Sequence, residues 1–332
     1  MNYLKNKLLK STSMPAFLLA LVMIIINIFI TKGFLSVSYL NSFFSANATL
    51  ICLSVGISMV IITGGIDLSV GAIICLCNVT MVTLFGKGWS IGSVVLLCLL
   101  MATAMGAMNG LLVAILRVNP MMATFATQSA FAGLALWVMN IPGGYAPIAF
   151  CKWFSSKVFG VIPMSLLVVL GLLALVLLIM RTPIGVKLYA IGNNEEKAFI
   201  SGVRVAPIKF FAYTFSGFAA GVAAVCYTAR TGGGDPTAAL TLTLNSVAAC
   251  VIGGLSLAGG KGTSVGGVWG AMFLQMIISV ILAARIPTMA QNLVEGLIIF
   301  VGIAGTIVAF GGKGLRTPKY KAAEKKEEVK PQ

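Results

Sequence analysis

The chain has 332 residues, of which 59% are hydrophobic and only 9% charged, against roughly 25% charged in a soluble domain. That balance excludes a soluble globular protein and implies a polytopic membrane protein with the lipid bilayer as its solvent. The net charge of +15 does not point to nucleic acid, because the basic residues are scattered between apolar runs and form no basic face interleaved with aromatics.

Lys5, Lys7 and Lys10 precede an apolar run from 14 to 31 that resembles a signal peptide. The nearest small-x-small site, Ala46-Asn47-Ala48, lies too far downstream for cleavage, so this run is expected to be a retained first helix. About 20 apolar residues cross a bilayer. On that criterion further helices fall near 46–63, 70–86, 91–116, 121–141, 162–180, 208–228, 243–259, 264–284 and 289–310. The expectation is therefore an all-α chain of about ten transmembrane helices. It divides into an N-terminus 1–13, a membrane domain 14–310 and a Lys/Glu-rich tail 311–332. With the N-terminus inside, 17 Lys and Arg fall on the cytoplasmic side and 6 outside, so the positive-inside rule places both termini in the cytoplasm.

Between the second and third helices stands Gly64-Gly65-Ile66-Asp67-Leu68-Ser69-Val70-Gly71. A carboxylate among membrane-length apolar runs is a candidate functional group, and the glycines Gly64, Gly65 and Gly71 permit a helix break. On this topology Asp67 is expected at the cytoplasmic end of the second helix, either solvated or capping the third. Gly253-Gly254-Leu255-Ser256-Leu257-Ala258-Gly259-Gly260 echoes the stretch weakly. A repeat of two five-helix halves in inverted orientation would pair the second helix with the seventh, which does not align these two stretches.

The longest internal hydrophilic stretch is the loop 181–209. Pro183 and Gly185 should stop the sixth helix. Asn193 or Asn194 is placed to cap a helix of about two turns, with Glu195 and Glu196 in its first turn and Gly202 just past its end. Pro207 suits the first turn of the next helix. A helix so short needs docking for stability and would offer Ala198, Phe199 and Ile200 to a partner's groove.

Enzymatic chemistry lacks parts. There is no histidine and no carboxylate pair flanking a site. Ala258-Gly259-Gly260-Lys261-Gly262-Thr263 departs from a phosphate loop, with Leu255 where the first glycine belongs and Gly262 where the hydroxyl residue belongs. The seven cysteines contain no CxxC spacing, so no metal site or disulfide framework is expected. Within the apolar runs, Asn78, Asn109, Thr124 and Gln128 are neutral groups suited to a polyhydroxylated solute or to bonds between helices. Lys152, Lys157, Arg230 and Arg285 fall in expected external turns, where they either meet an acidic partner or are simply solvated.

Three segments, taken together and in this order, resemble one group of proteins. They are Gly64 to Gly71, Tyr189-Ala190-Ile191-Gly192-Asn193-Asn194-Glu195 through Ser201-Gly202-Val203, and Val251-Ile252-Gly253-Gly254 with Ser256 to Gly262. The chain resembles the permease subunits of bacterial ATP-driven (ABC) importers of the ribose, galactoside and xylose type, in the branched-chain amino acid and monosaccharide permease superfamily. The resemblance covers about residues 40 to 310. It implies a type II-like importer permease in the bacterial inner membrane that carries a monosaccharide or similar small polyol. It further implies a second permease copy or paralogous permease, and an extracytoplasmic solute-binding protein. A cytoplasmic ATPase or tandem ATPase, holding the ATP and magnesium, would dock on 189–203. Where members of that group commonly read Glu-Leu-Asp, this chain has Thr243-Leu244-Asn245. The alternative from another class is a self-sufficient carrier or channel for a small neutral solute, against which the scarcity of intramembrane acids argues.

Overall fold

A computed structural model describes residues 13–31, 33–283 and the isolated positions 293, 296, 297 and 300. Apart from those four positions the expected tenth helix lies outside the described residues, as do the tail, Arg285 and the first twelve residues. Among the described residues the chain is helices joined by turns and non-helical breaks, with one hairpin of two-residue strands. The helices are α1 (Met14–Ile30), α2 (Val37–Ile62), α3 (Val70–Gly86), α4 (Ile91–Gly110, continued by a π turn Leu111–Ile115), α5 (Pro120–Val138) and α6 (Ile148–Phe154). After the hairpin strands β1 (Lys157–Val158) and β2 (Ile162–Pro163) come α7 (Met164–Arg181), α8 (Pro183–Asn193), α9 (Glu195–Ile200), α10 (Val205–Thr231), α11 (Leu242–Ile252) and α12 (Ser264–Ala283).

Six of these helices are long and apolar enough to cross a bilayer: α2, α4 with its π turn, α5, α7, α10 and α12. The molecule is an all-α polytopic membrane protein. Two expectations change. The second helix begins at Val37, because Ser36 accepts a hydrogen bond from the Tyr39 N–H and sets an N-cap nine residues earlier than hydropathy suggested. The eighth is only the 11-residue α11, about 16 Å at 1.5 Å per residue. It stops at Gly253-Gly254, where Gly254 takes φ +86°.

Helix α2 is the centre of the bundle, buried on every side from Asn47 to Ile62; a helix apolar all round belongs in a core. Helix α10 crosses it antiparallel. The Arg230 guanidinium donates to the Ala46 carbonyl at 2.8 Å, and Gly56 and Gly65 face Ala219 and Tyr213 farther along the pair. On its other side α10 meets α4 through small residues. A Cβ on Gly106 would lie 2.7 Å from the Gly217 Cα, and one on Gly221 2.8 Å from the Ala102 Cβ. Lipid is as apolar as leucine, so close packing of small residues, not exclusion of water, drives such helices together. Helix α1 lies on α12, with Phe17 edge-on to Trp269 and the Asn27 amide donating to the Met276 carbonyl at 3.3 Å.

A long helix, an extended break and a short helix occur twice: α2, 63–69, α3, and α10, 232–241, α11. Because α2 and α10 are antiparallel, the two units are inverted. This pairs the second helix with the seventh of the expected series and leaves the Gly64 and Gly253 stretches as unrelated turns that happen to touch. The breaks meet where the Gly71 N–H donates to the Thr243 hydroxyl at 2.9 Å.

The α4–α10 seam yields a prediction. Gly217→Val, which forces a side chain into backbone, should cost about 1–3 kcal/mol or more and lower the melting temperature in detergent. Leu100→Ala, on the exposed face of α4, should leave melting within a degree or two of wild type.

Candidate functional site

The loop 181–209 carries two short helices where the sequence suggested one. Arg181 ends α7, and Thr182 accepts from the Ile184 N–H at 3.2 Å to start α8 with Pro183 in its first turn. Asn194 caps α9 by accepting from the Lys197 N–H at 2.8 Å, and Glu195 and Glu196 stand in the first turn, where the helix dipole favours acids. The end of α9 is a Schellman motif: the Val203 N–H reaches the Ala198 carbonyl at 3.0 Å and the Gly202 N–H reaches Phe199 at 2.9 Å, with Gly202 at φ +84°. Glu195 pairs with Lys209 at the surface, worth little by itself.

Only part of the expected apolar face points outward. Phe199 and Ile200 are 70% and 76% exposed, whereas Ala198 is 5% exposed and packs inward. Helical spacing explains the split, since residue 198 lies two positions from 200 and so on the far side.

Helix α8 fixes this pair to the bundle. A Cβ on Gly192 would fall 1.8 Å from the Ile62 carbonyl and 2.5 Å from the Gly260 nitrogen, so only glycine fits. The Tyr189 hydroxyl donates to the Gly262 carbonyl at 2.7 Å, and the Gly260 N–H donates to the Ile62 carbonyl at 2.9 Å. Gly64 faces Ala258 across the same junction. The three segments around residues 64, 192 and 260, well separated in sequence, therefore meet at one point beneath α8 and α9. Asn193, beside that junction, is exposed.

The break 63–69 leads from this junction into the bundle. Here the structure corrects the expectation for Asp67, which is fully buried and not solvated. One carboxylate oxygen accepts from the Ser69 N–H at 3.0 Å and the Ser69 hydroxyl at 2.7 Å; the other accepts from the Ser216 hydroxyl on α10 at 2.9 Å. The Asn109 amide donates to Ser69 at 2.7 Å, Thr127 donates to the Asn109 carbonyl oxygen at 2.7 Å, and Thr124 donates to the Ile66 carbonyl at 3.2 Å. Asp67 thus shapes the turn ahead of α3 and ties it to α4, α5 and α10. Thr127 stood among the neutral intramembrane groups of the sequence, whereas Ser216 was not singled out. Lone hydroxyls in apolar helices carry no mark that separates them from ordinary packing residues.

The expected solute-path residues do not form one lining. Asn109 and Thr124 belong to the Asp67 network, and Gln128 lies half-buried one turn farther along α5. Asn78 sits elsewhere and donates to the Thr228 hydroxyl at 2.9 Å and the Gly233 carbonyl at 3.0 Å, while accepting from the Asp235 N–H at 2.8 Å. It pins the break 232–241. The Thr237 N–H, with the Ala238 N–H and the Thr237 hydroxyl, holds the Asp235 carboxyl below its usual range. Lys152 on α6 and Lys157 on the hairpin are exposed. They lie on the segment whose Gly143 bridges Gly234, at the end of the bundle opposite α8 and α9, as does Arg230.

The Tyr213 hydroxyl is buried beside Gly65 with no hydrogen-bond partner among the described residues. Tyr213→Phe should therefore raise the melting temperature, by an amount matching about 1 kcal/mol; a fall would mean that the hydroxyl is satisfied. Asp67→Leu should cost at least about 2 kcal/mol, because Ser69 and Ser216 lose their acceptor. Chemical denaturation of both variants in detergent measures this.

Residues 38–303 match the profile of the family described as branched-chain amino acid transport system / permease component. The autoinducer 2 import system permease protein LsrC of Yersinia enterocolitica is 31% identical over 276 residues, which is 81% of this chain and 75% of that protein. The LsrC proteins of Yersinia pestis and Yersinia pseudotuberculosis are 31% and 32% identical over the same length, each covered to 77%. No solved structure matches. The chain belongs to this family of transport-system permease components and is a multi-pass protein of the bacterial inner membrane.

Proposed function

We propose that the chain is the membrane-spanning permease subunit of an ATP-driven importer, forming the path for a monosaccharide or similar small polyol. In this reading about ten helices cross the membrane and both termini are cytoplasmic. The ATP and magnesium are held by a separate ATPase, a binding protein delivers the solute from outside, and a second permease completes the path. The names of the LsrC relatives make autoinducer 2 a concrete solute to try.

One observation carries the reading. Phe199 and Ile200 stand exposed on a six-residue helix that cannot be stable alone. That helix is bolted through Gly192 and Tyr189 to the ends of the membrane core. Exposed apolar anchors on a rigid mount suit a groove on a soluble partner. A push on α8 and α9 would reach the 62–65 turn and the 259–262 turn by backbone contact, with little side-chain slack to absorb it.

Co-purification with the cognate ATPase decides the matter. Phe199→Asp and Ile200→Asp should each weaken the complex by about tenfold or more, since a charge in an apolar groove stays unpaired, while the melting temperature of the permease alone stays put. Gly202→Trp should weaken the complex by disturbing the end of α9. Ala198→Asp should instead destabilise the permease itself. Full assembly in all three surface variants would exclude this loop as the docking element. Uptake into vesicles containing only this chain would exclude the importer reading altogether.

A further inference from the structure

Opposite α8 and α9, the outer parts of α2, α10 and α12 enclose a cavity of about 580 Å³, within the roughly 300–1,000 Å³ of small-molecule sites. Its wall brings together polar groups from three helices: Tyr39, Asn47 and Thr49 from α2, Tyr227 and Arg230 from α10, and Gln275 from α12. None of these groups is needed for the chemistry described so far, and lipid tails could not satisfy them.

Two details indicate what the cavity takes. The Thr49 side chain lines the wall, and its hydroxyl is buried with no hydrogen-bond partner among the described residues, a state that costs free energy until a side-chain rotation or a bound group supplies a partner. Arg230 brings the one charge among the lining residues. Its guanidinium gives one N–H to the Ala46 carbonyl, and the group has five donors in all. The nearby acid, Asp235, is taken up by the N–H groups of Thr237 and Ala238 and by the Thr237 hydroxyl. A wall with aromatic rings, amides, several hydroxyls and one arginine, but no acid among the described lining residues, is complementary to a small polyhydroxylated molecule that also bears an oxyanion.

We infer that this cavity is a binding site within a single permease subunit for a small polyol carrying a carboxylate or phosphate, with Arg230 on the anionic group and Thr49, Asn47 and Gln275 among the hydroxyls. The inference rests on the transport role proposed above and narrows its solute class from neutral to acidic polyols.

The test uses the full chain in phosphatidylcholine nanodiscs, titrated calorimetrically with D-gluconate and with D-glucose. Saturable gluconate binding is expected, with glucose roughly tenfold weaker for want of the charge-assisted bond. Arg230→Gln should bring gluconate down to the level of glucose, Arg230→Lys should retain part of the preference, and Thr49→Val should weaken both ligands while raising, and not lowering, the melting temperature of the ligand-free protein. Absent gluconate binding, equal affinities, or a preference that survives Arg230→Gln would overturn the inference. A parallel arm adds phosphatidylglycerol to the nanodiscs. Retention of that lipid by wild type but not by Arg230→Gln, with no gluconate binding in its absence, assigns the arginine to a lipid headgroup and likewise overturns the solute site. ATP-driven uptake is measured separately with the ATPase present. Failure there with gluconate binding intact would count against the importer role and not against the cavity.

Discussion

Extended backbone inside a membrane has no water to bond to, so every polar group on it must find a protein partner. The break at 63–69 depends on that constraint. Its carboxylate, its hydroxyl and the Ile66 carbonyl are met by Ser216, Asn109 and Thr124 on three different helices. Each of those bonds also fixes where the donor helix sits. The second break, 232–241, is held in the same manner by Asn78, and the two breaks join through Gly71 and Thr243. The centre of the bundle is a set of satisfied interruptions around the fully buried α2.

Interruptions of this kind also decide how the helical bundle is joined to the loop helices. Continuous helices packed through small residues, as α4 and α10 are, resist sliding because backbone meets backbone. The broken units end in glycine turns that touch one another and α8 at the junction of Ile62, Gly192 and Gly260. Contact there is made by main-chain atoms, which have no rotamers with which to yield. The loop helices and the breaks are therefore joined directly through backbone contact.

The local rules of helix chemistry were legible in the sequence. Asn194 as a cap, Glu195 and Glu196 in the first turn, Gly202 beyond the end and Pro207 in the following first turn all stand where capping preferences put them. Helix α8 was not legible, because Pro183 and Gly185 read as a stop. Pro183 instead begins a new helix after the stop, and Gly185 is buried within it. The N-terminal extension of α2 was equally hidden. Val37 to Ser45 is mixed in character, and it is helical because its inner face packs and Ser36 caps it.

By itself the sequence determined the class of molecule, the order of its main apolar helices and the three glycine-bearing segments that mark the family. Those follow from composition, segment length and local conformational preference, which act within a few residues. Only the tertiary structure decided that the three segments touch, that Asp67 is buried and bound by Ser216, that Asn78 pins a turn, and that Arg230 and Thr49 share a cavity. The physical reason is the solvent. In lipid a leucine is equally content against a neighbouring helix or against an acyl chain, so hydropathy does not say which face of a helix meets protein. That choice is made by long-range fit between small residues and by the few polar groups that must be satisfied, and neither is visible until the helices are assembled.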